Sequence, residues 1–200
     1  MQTHLDIRWT YIQKVEQLPS TLKYFDCSYC DIDELPQLPD GLQVLRCCGN
    51  RISKLPPLPS TLRVLRCSEN TLSVLPPLPE ALIVLRCDEN RLEYLSERLP
   101  STLSVLSVSK NPIKVLPELP DTLGHLDIRQ TQVGKILRFP PKLKFLDCSH
   151  CKLPEIPDLP GELRFLVCDE KHASKFIKVP DTLHCHHCDK QWHYGELDSK

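Results

Sequence analysis

No run of apolar residues in this chain approaches the roughly 18 needed to cross a membrane, and its start, MQTHLDIRWT, lacks the basic head and apolar stretch of a secretory signal. Excess charge of one sign is also missing. A formal net charge of -1 argues against general nucleic-acid or membrane-surface binding, which needs surplus lysine and arginine to displace counterions. Glycine is scarce, six residues against 19 prolines, and so much proline without a period would indicate disorder. An even number of cysteines is absent too. Eleven thiols cannot all pair, which fits a reducing, cytoplasmic setting better than a disulfide framework.

What is present is a period. Aligned on LxxLxCxxN, the second apolar position falls at Leu5, Phe25, Leu45, Leu65, Leu85, Leu106, Leu126, Leu146, Leu166 and His186, with every interval 20 residues except one of 21. The extra residue lies in LSERLP, residues 95 to 100, where other units read LPPLP. A fixed period of this length with this leucine spacing is the mark of leucine-rich repeats, in which each coil buries its apolar edge against its neighbours. In LRVLRCSEN, residues 62 to 70, the two-residue alternation predicts a short strand with Leu65 and Cys67 inward and Val64 and Arg66 outward. All four asparagines, Asn50, Asn70, Asn90 and Asn111, share one column, where an amide with donors and an acceptor can satisfy the backbone of a bend. Thr10, Cys30, Thr131 and Cys151 occupy the same column in other coils. The return leg LPPLPSTL favours extended or polyproline geometry, because proline fixes φ and biases the residue before it.

LPPLPSTLRVLRCSENTLSVLPPLP resembles the short, 20-residue bacterial-type leucine-rich repeat of the YopM and IpaH effectors, LPxLPxxLxxLxVxxNxLxx. Similar repeats with cysteine in place of valine occur in large DNA viruses of amoebae. The resemblance covers the whole chain. It implies a curved, right-handed solenoid with a parallel β-sheet on the concave face and extended or polyproline segments on the convex side. It also implies protein binding. Residues 1–200 are expected to form one domain of about ten coils, with a partial coil at 1–17 and a partial coil and cap at 180–200.

Catalysis is not expected, and no cofactor is called for. Cys67 with Glu69 and Cys87 with Glu89 recur as CxEN, but recurrence in successive coils is what a structural unit does, and an inward thiol is protonated and inaccessible. CSYC at 27–30 and CSHC at 148–151 have the spacing of a zinc half-site, yet they lie six coils, roughly 29 Å, apart at about 4.8 Å per strand. They cannot share an ion. The cluster HCHHC at 184–188 with His193 is the one candidate metal site, against an irregular polar cap as the other reading. Trp9 and Trp192 fall in terminal coils and are read as covers for the open ends.

Two outward columns remain. One runs His4, Tyr24, Val44, Val64, Val84, Val105, His125, Phe145, Phe165, Cys185, an apolar stripe that either binds a partner or packs along the sheet. Its neighbour runs Asp6, Asp26, Arg46, Arg66, Arg86, Ser107, Asp127, Asp147, Val167, His187. Three arginines in successive strands repel unless anions sit nearby. Asp88, Glu69 and Glu89 are internal candidates, and an acidic partner is the alternative. The partner-binding residues expected are therefore Tyr24, Val44, Val64, Val84, Val105, Phe145 and Phe165 with Arg46, Arg66 and Arg86. The expected function is a non-catalytic protein-interaction module, with no nucleic-acid or membrane partner. A structural part in a virion or other assembly, held by self-association through edges and ends, is the second reading, and it would place the protein in a virion or a host cytoplasm.

Overall fold

A computed structural model describes residues 2–173 and 184–185. Each coil contributes one very short strand: β1 (His4–Asp6), β2 (Tyr24–Asp26), β3 (Val44–Arg46), β4 (Val64–Arg66) and β5 (Val84–Arg86). They continue with β6 (Val105–Ser107), β7 (His125–Asp127), β8 (Phe145–Asp147), β9 (Phe165–Val167) and β10 (His184–Cys185), with one helical turn, α1 (Glu170–Ala173), after β9. The strands form a single sheet in sequence order, and every pair is parallel. Sequence neighbours are thus spatial neighbours throughout. This is the arrangement the 20-residue period predicts.

The core is a stack of equivalent rungs. Phe25, Leu45, Leu65, Leu85, Leu106, Leu126 and Leu146 are fully buried in register, and Cys27, Cys47, Cys67, Cys87 and Cys148 form a second buried column beside them. Each coil alone lacks the apolar area to fold. Stacking buries both faces of its leucines, each worth about 1.5–3 kcal/mol when removed from water. Prolines punctuate the return leg. The carbonyls of Pro19, Pro39, Pro59, Pro79, Pro100, Pro120, Pro140 and Pro160 accept the N–H three residues on, at 3.0–3.1 Å, closing a turn just before each strand from β2 to β9. The 21-residue coil keeps register, pairing Val84 with Val105, while Arg98 and Glu118 form a separate parallel bridge in the return leg.

Bends after the strands are held from the next coil. The Asn50 amide oxygen accepts the N–H groups of Cys30 (3.2 Å) and Ile32 (2.9 Å), and its nitrogen donates to the carbonyls of Cys27 (2.9 Å) and Cys47 (3.1 Å). Asn70, Asn90 and Asn111 repeat this one coil at a time. Where the column holds cysteine, the thiol takes over the donor role. Cys30 donates to the Ile7 carbonyl at 2.9 Å and Cys151 to that of Ile128 at 3.0 Å.

Two expectations need correction. The tenth strand pairs one residue early: Cys185 lies opposite Leu166 and His184 opposite Phe165, so Cys185 does not continue the Phe165 column. A one-residue slip moves a residue to the other face, and the last interval is 19 residues rather than 20. Trp9 does not close the first coil either. Its side chain is 72% exposed, while Leu5, Ile7, Val15 and Leu18 at that end remain only partly buried. Trp192, most of HCHHC and His193 lie outside the described residues, as does nearly all of the 180–200 segment.

Candidate interaction surface

The outward residue at the start of each strand is set by the two-residue period, and parallel pairing carries it across the sheet. Tyr24, Val44, Val64, Val84 and Val105 stand opposite one another in successive strands, followed by His125, Phe145 and Phe165. They are less exposed than the sequence suggests. The run from Tyr24 to Val105 and Phe145 is half-buried, His125 is buried, and only Phe165, at 45%, is well exposed. Neighbours cover one another: His4 stacks on Tyr24 with ring centroids 4.0 Å apart, and His125 stacks on Phe145 at 4.2 Å. Packing along the sheet and a solvent-facing apolar stripe therefore coexist.

Burial of His125 lowers its pKa to about 4, with the nearby Arg86 charge adding to the effect, so the ring is neutral at physiological pH.

Arg46, Arg66 and Arg86 stand in register on β3, β4 and β5, half-buried. The Nε atoms of Arg46 and Arg86 are buried without a hydrogen-bond partner. The Arg46 guanidinium carbon sits 5.7 Å from the Tyr24 ring centroid, within cation–π range. Asp88, expected as an internal counter-charge, is held by three serine hydroxyls. Ser107 Oγ donates to it at 2.5 Å, Ser109 Oγ at 2.9 Å and Ser68 Oγ at 3.1 Å. Glu89 pairs with Lys110 at 2.7 Å, and Glu69 accepts from the Tyr29 hydroxyl at 3.1 Å.

The acidic positions flanking the triad differ more sharply from expectation. Outward alternation predicts solvated carboxylates, yet Asp26, Asp127 and Asp147 are buried at 1%, 1% and 4% exposure. Each carboxylate turns back onto its own bend and accepts the N–H two residues ahead, from Ser28, Arg129 and Ser149 respectively. Asp6 does the same with Arg8. The sequence signal was present as Asp-x-Arg or Asp-x-Ser in LDIR, FDCS, LDIR and LDCS, a pattern that reads as a side-chain cap of a turn.

These coils occur as two matching pairs. In β1 and β2, Arg8 reaches Asp6 at 2.8 Å and Asp26 at 3.6 Å; in β7 and β8, Arg129 lies 3.6 Å from Asp127 and 3.9 Å from Asp147. Burial, reinforced by the Asp147 charge, raises the Asp127 pKa to about 7, and burial likewise raises that of Asp147.

Among the described residues the inward thiols are held in the protonated form. Burial pushes Cys47, Cys67 and Cys87 well above the ordinary thiol range, and Cys27 and Cys148 move the same way. Among the described residues no three histidine, cysteine or acidic side chains gather to hold a metal.

Missed by the sequence reading is a run of exposed apolar residues on the return legs: Val74 (39%), Tyr94 (60%), Val115 (72%) and Leu137 (82%). The first three recur at one repeat position, and tabulating that position across coils would have found them.

Period, sheet and asparagine ladder define a leucine-rich repeat solenoid, with coils similar to the short bacterial type. A family model, Leucine Rich Repeat, matches residues 142–163. Among solved structures, the chain is similar to YopM from Yersinia enterocolitica, with 27% identity, a TM-score of 0.65, and coverage of 90% of this chain and 49% of that one. It is also similar to a Shigella effector LRR domain, with 26% identity, a TM-score of 0.70, and coverage of 76% and 70%. The functional domain of InlJ from Listeria monocytogenes, described as including a cysteine ladder, shares the fold at 22% identity and a TM-score of 0.72, over 84% of this chain and 39% of that one. The chain thus spans about half of YopM and less of InlJ. A sequence search of curated proteins gave no match.

Proposed function

We propose that the chain is a non-catalytic protein-interaction module whose concave sheet face binds an acidic segment of a partner protein. The observation that carries this reading is the arginine triad, Arg46, Arg66 and Arg86, in register on adjacent strands, with the Nε atoms of Arg46 and Arg86 buried and unmatched. Neighbouring guanidinium groups raise the local potential, and a carboxylate-bearing partner relieves that repulsion. Half-buried Val44, Val64 and Val84 beside them give the same face apolar contact. Leucine-rich repeat proteins are typically protein-binding modules, and a sheet fixed by ladder bonds presents its surface with little rearrangement. The raised thiol pKa values support the non-catalytic part of the reading. A reducing, cytoplasmic location is proposed with it, on the free thiols among the described residues.

Changing Arg46, Arg66 and Arg86 together to Glu tests this. Crosslinking of native material followed by mass spectrometry identifies the partner, and the triple variant is expected to lose it while circular dichroism stays unchanged. Retained capture by a folded triple variant removes the concave face from consideration.

A further inference from the structure

At the bend after each strand from β1 to β8, the residue at one repeat position adopts a left-handed backbone: Trp9, Tyr29, Gly49, Glu69, Glu89, Lys110, Gln130 and His150 all have φ between +52° and +61°. Glycine is the relaxed choice there, and only Gly49 makes it. The first two coils place their bulkiest side chains at this strained position, where they project along the edge of the solenoid. Trp9 and Tyr29 stack with ring centroids 4.1 Å apart and planes 6° from parallel. Tyr29 then lies over Gly49, where an added Cβ would meet its ring at 2.1 Å, and its hydroxyl reaches Glu69 two coils on. Trp9 and Gly49 thus flank the Tyr29 ring, and its hydroxyl is anchored on Glu69. Trp9 is 72% exposed, however, and beside it Tyr11 is 101% and Ile12 39% exposed. These rings do not seal the end, since Leu5, Ile7, Val15 and Leu18 of the first coil stay partly exposed with the rings in place.

The charge around this ledge is acidic. Arg8 is shared by Asp6 and the buried Asp26, and Arg51 by Asp31 and Asp33, so at the surface two cations face three carboxylates, with Glu69 further along the same edge. Exposed, pre-ordered aromatic rings in an acidic surround fit a cationic side chain, which gains from the ring face and from the nearby carboxylates together.

We propose that the Trp9–Tyr29 stack with Tyr11 is a second docking surface, which takes an extended basic segment of a partner protein. It lies at the bend edge rather than on the sheet face, and its charge preference is opposite to that of the arginine triad.

The test uses the full chain and a fluorescein-labelled peptide of alternating arginine and proline, with alternating glutamate and proline as control, read by anisotropy. Saturable binding of the basic peptide alone is expected. Trp9→Ala weakens it by about tenfold or more, as loss of an aromatic anchor does. Tyr11→Ala, at a fully exposed position that folding does not need, weakens it as well. Changing Arg46, Arg66 and Arg86 to Gln leaves it unchanged, which separates this surface from the concave face. The proposal is overturned if the basic peptide shows no saturation, if the acidic peptide binds equally, or if folded Trp9→Ala and Tyr11→Ala bind as the unmodified protein does.

Discussion

Two residues show how single side chains hold successive coils together. The Asn70 oxygen accepts the Ile52 N–H at 2.9 Å, and its nitrogen donates to Cys47, Cys67 and Ser68 carbonyls between 2.9 and 3.2 Å. Asn70→Ala leaves those buried backbone groups unmatched, and a loss of about 1–3 kcal/mol in urea unfolding is expected. Gly49 acts by having no side chain. At φ +61°, any Cβ is strained and also collides with the Tyr29 ring. Gly49→Ala should destabilise by about 1–3 kcal/mol and should disturb the Trp9–Tyr29 stack. Near-ultraviolet circular dichroism, which senses ordered aromatic pairs, would report that change.

At the scale of the strand, β7 places two buried groups with opposite titration on one sheet face. His125 has its pKa lowered to about 4 against an ordinary 6.5. Between those values the unfolded chain binds a proton that the folded chain refuses, so this group makes stability rise with pH. Asp127 is raised to about 7 from 3.8. There the folded chain holds a proton that the unfolded chain has lost, so stability falls as pH rises from about 4 to 7. The two slopes oppose each other between pH 4 and 6.5, each limited to about 1.4 kcal/mol per pH unit. Asp127→Asn should therefore steepen any rise in urea midpoint from pH 4 to 6.5, and His125→Phe should favour a fall over the same range. Identical pH profiles for the two variants would refute the assignment.

The same strands show where sequence reading stopped. Which residues face outward followed from alternation, and the registers of Arg46, Arg66 and Arg86 were legible from spacing alone. Burial of Asp127 and Asp147 was not, because it depends on the bend folding back over the carboxylate. The slip at Cys185 was equally hidden, since a two-residue strand carries too little alternation to fix a register.

Across the whole molecule, contacts run almost entirely between adjacent coils, so stability behaves as a sum of coil and nearest-neighbour terms. A whole lap should then be removable. Deleting residues 61–80 joins Ser60 to Ala81, which holds the place of Thr61 in its own coil. The Asn90 nitrogen, which donates to the Cys67 carbonyl at 3.0 Å, would then meet that of Cys47, the acceptor that Asn70 uses at 2.9 Å. One thing is lost at the joint: the Thr61 hydroxyl donates to the Asp40 carbonyl at 2.6 Å, and alanine cannot replace it, at a cost of about 1 kcal/mol. The shortened chain should keep its β-sheet circular dichroism and unfold with a slightly smaller dependence on urea, in proportion to the surface removed. Deleting only residues 61–70 moves every later side chain half a lap out of phase, so leucines meet solvent and that protein should not fold. A folded half-lap deletion, or an unfolded whole-lap one, would mean that something other than coil stacking holds the chain together.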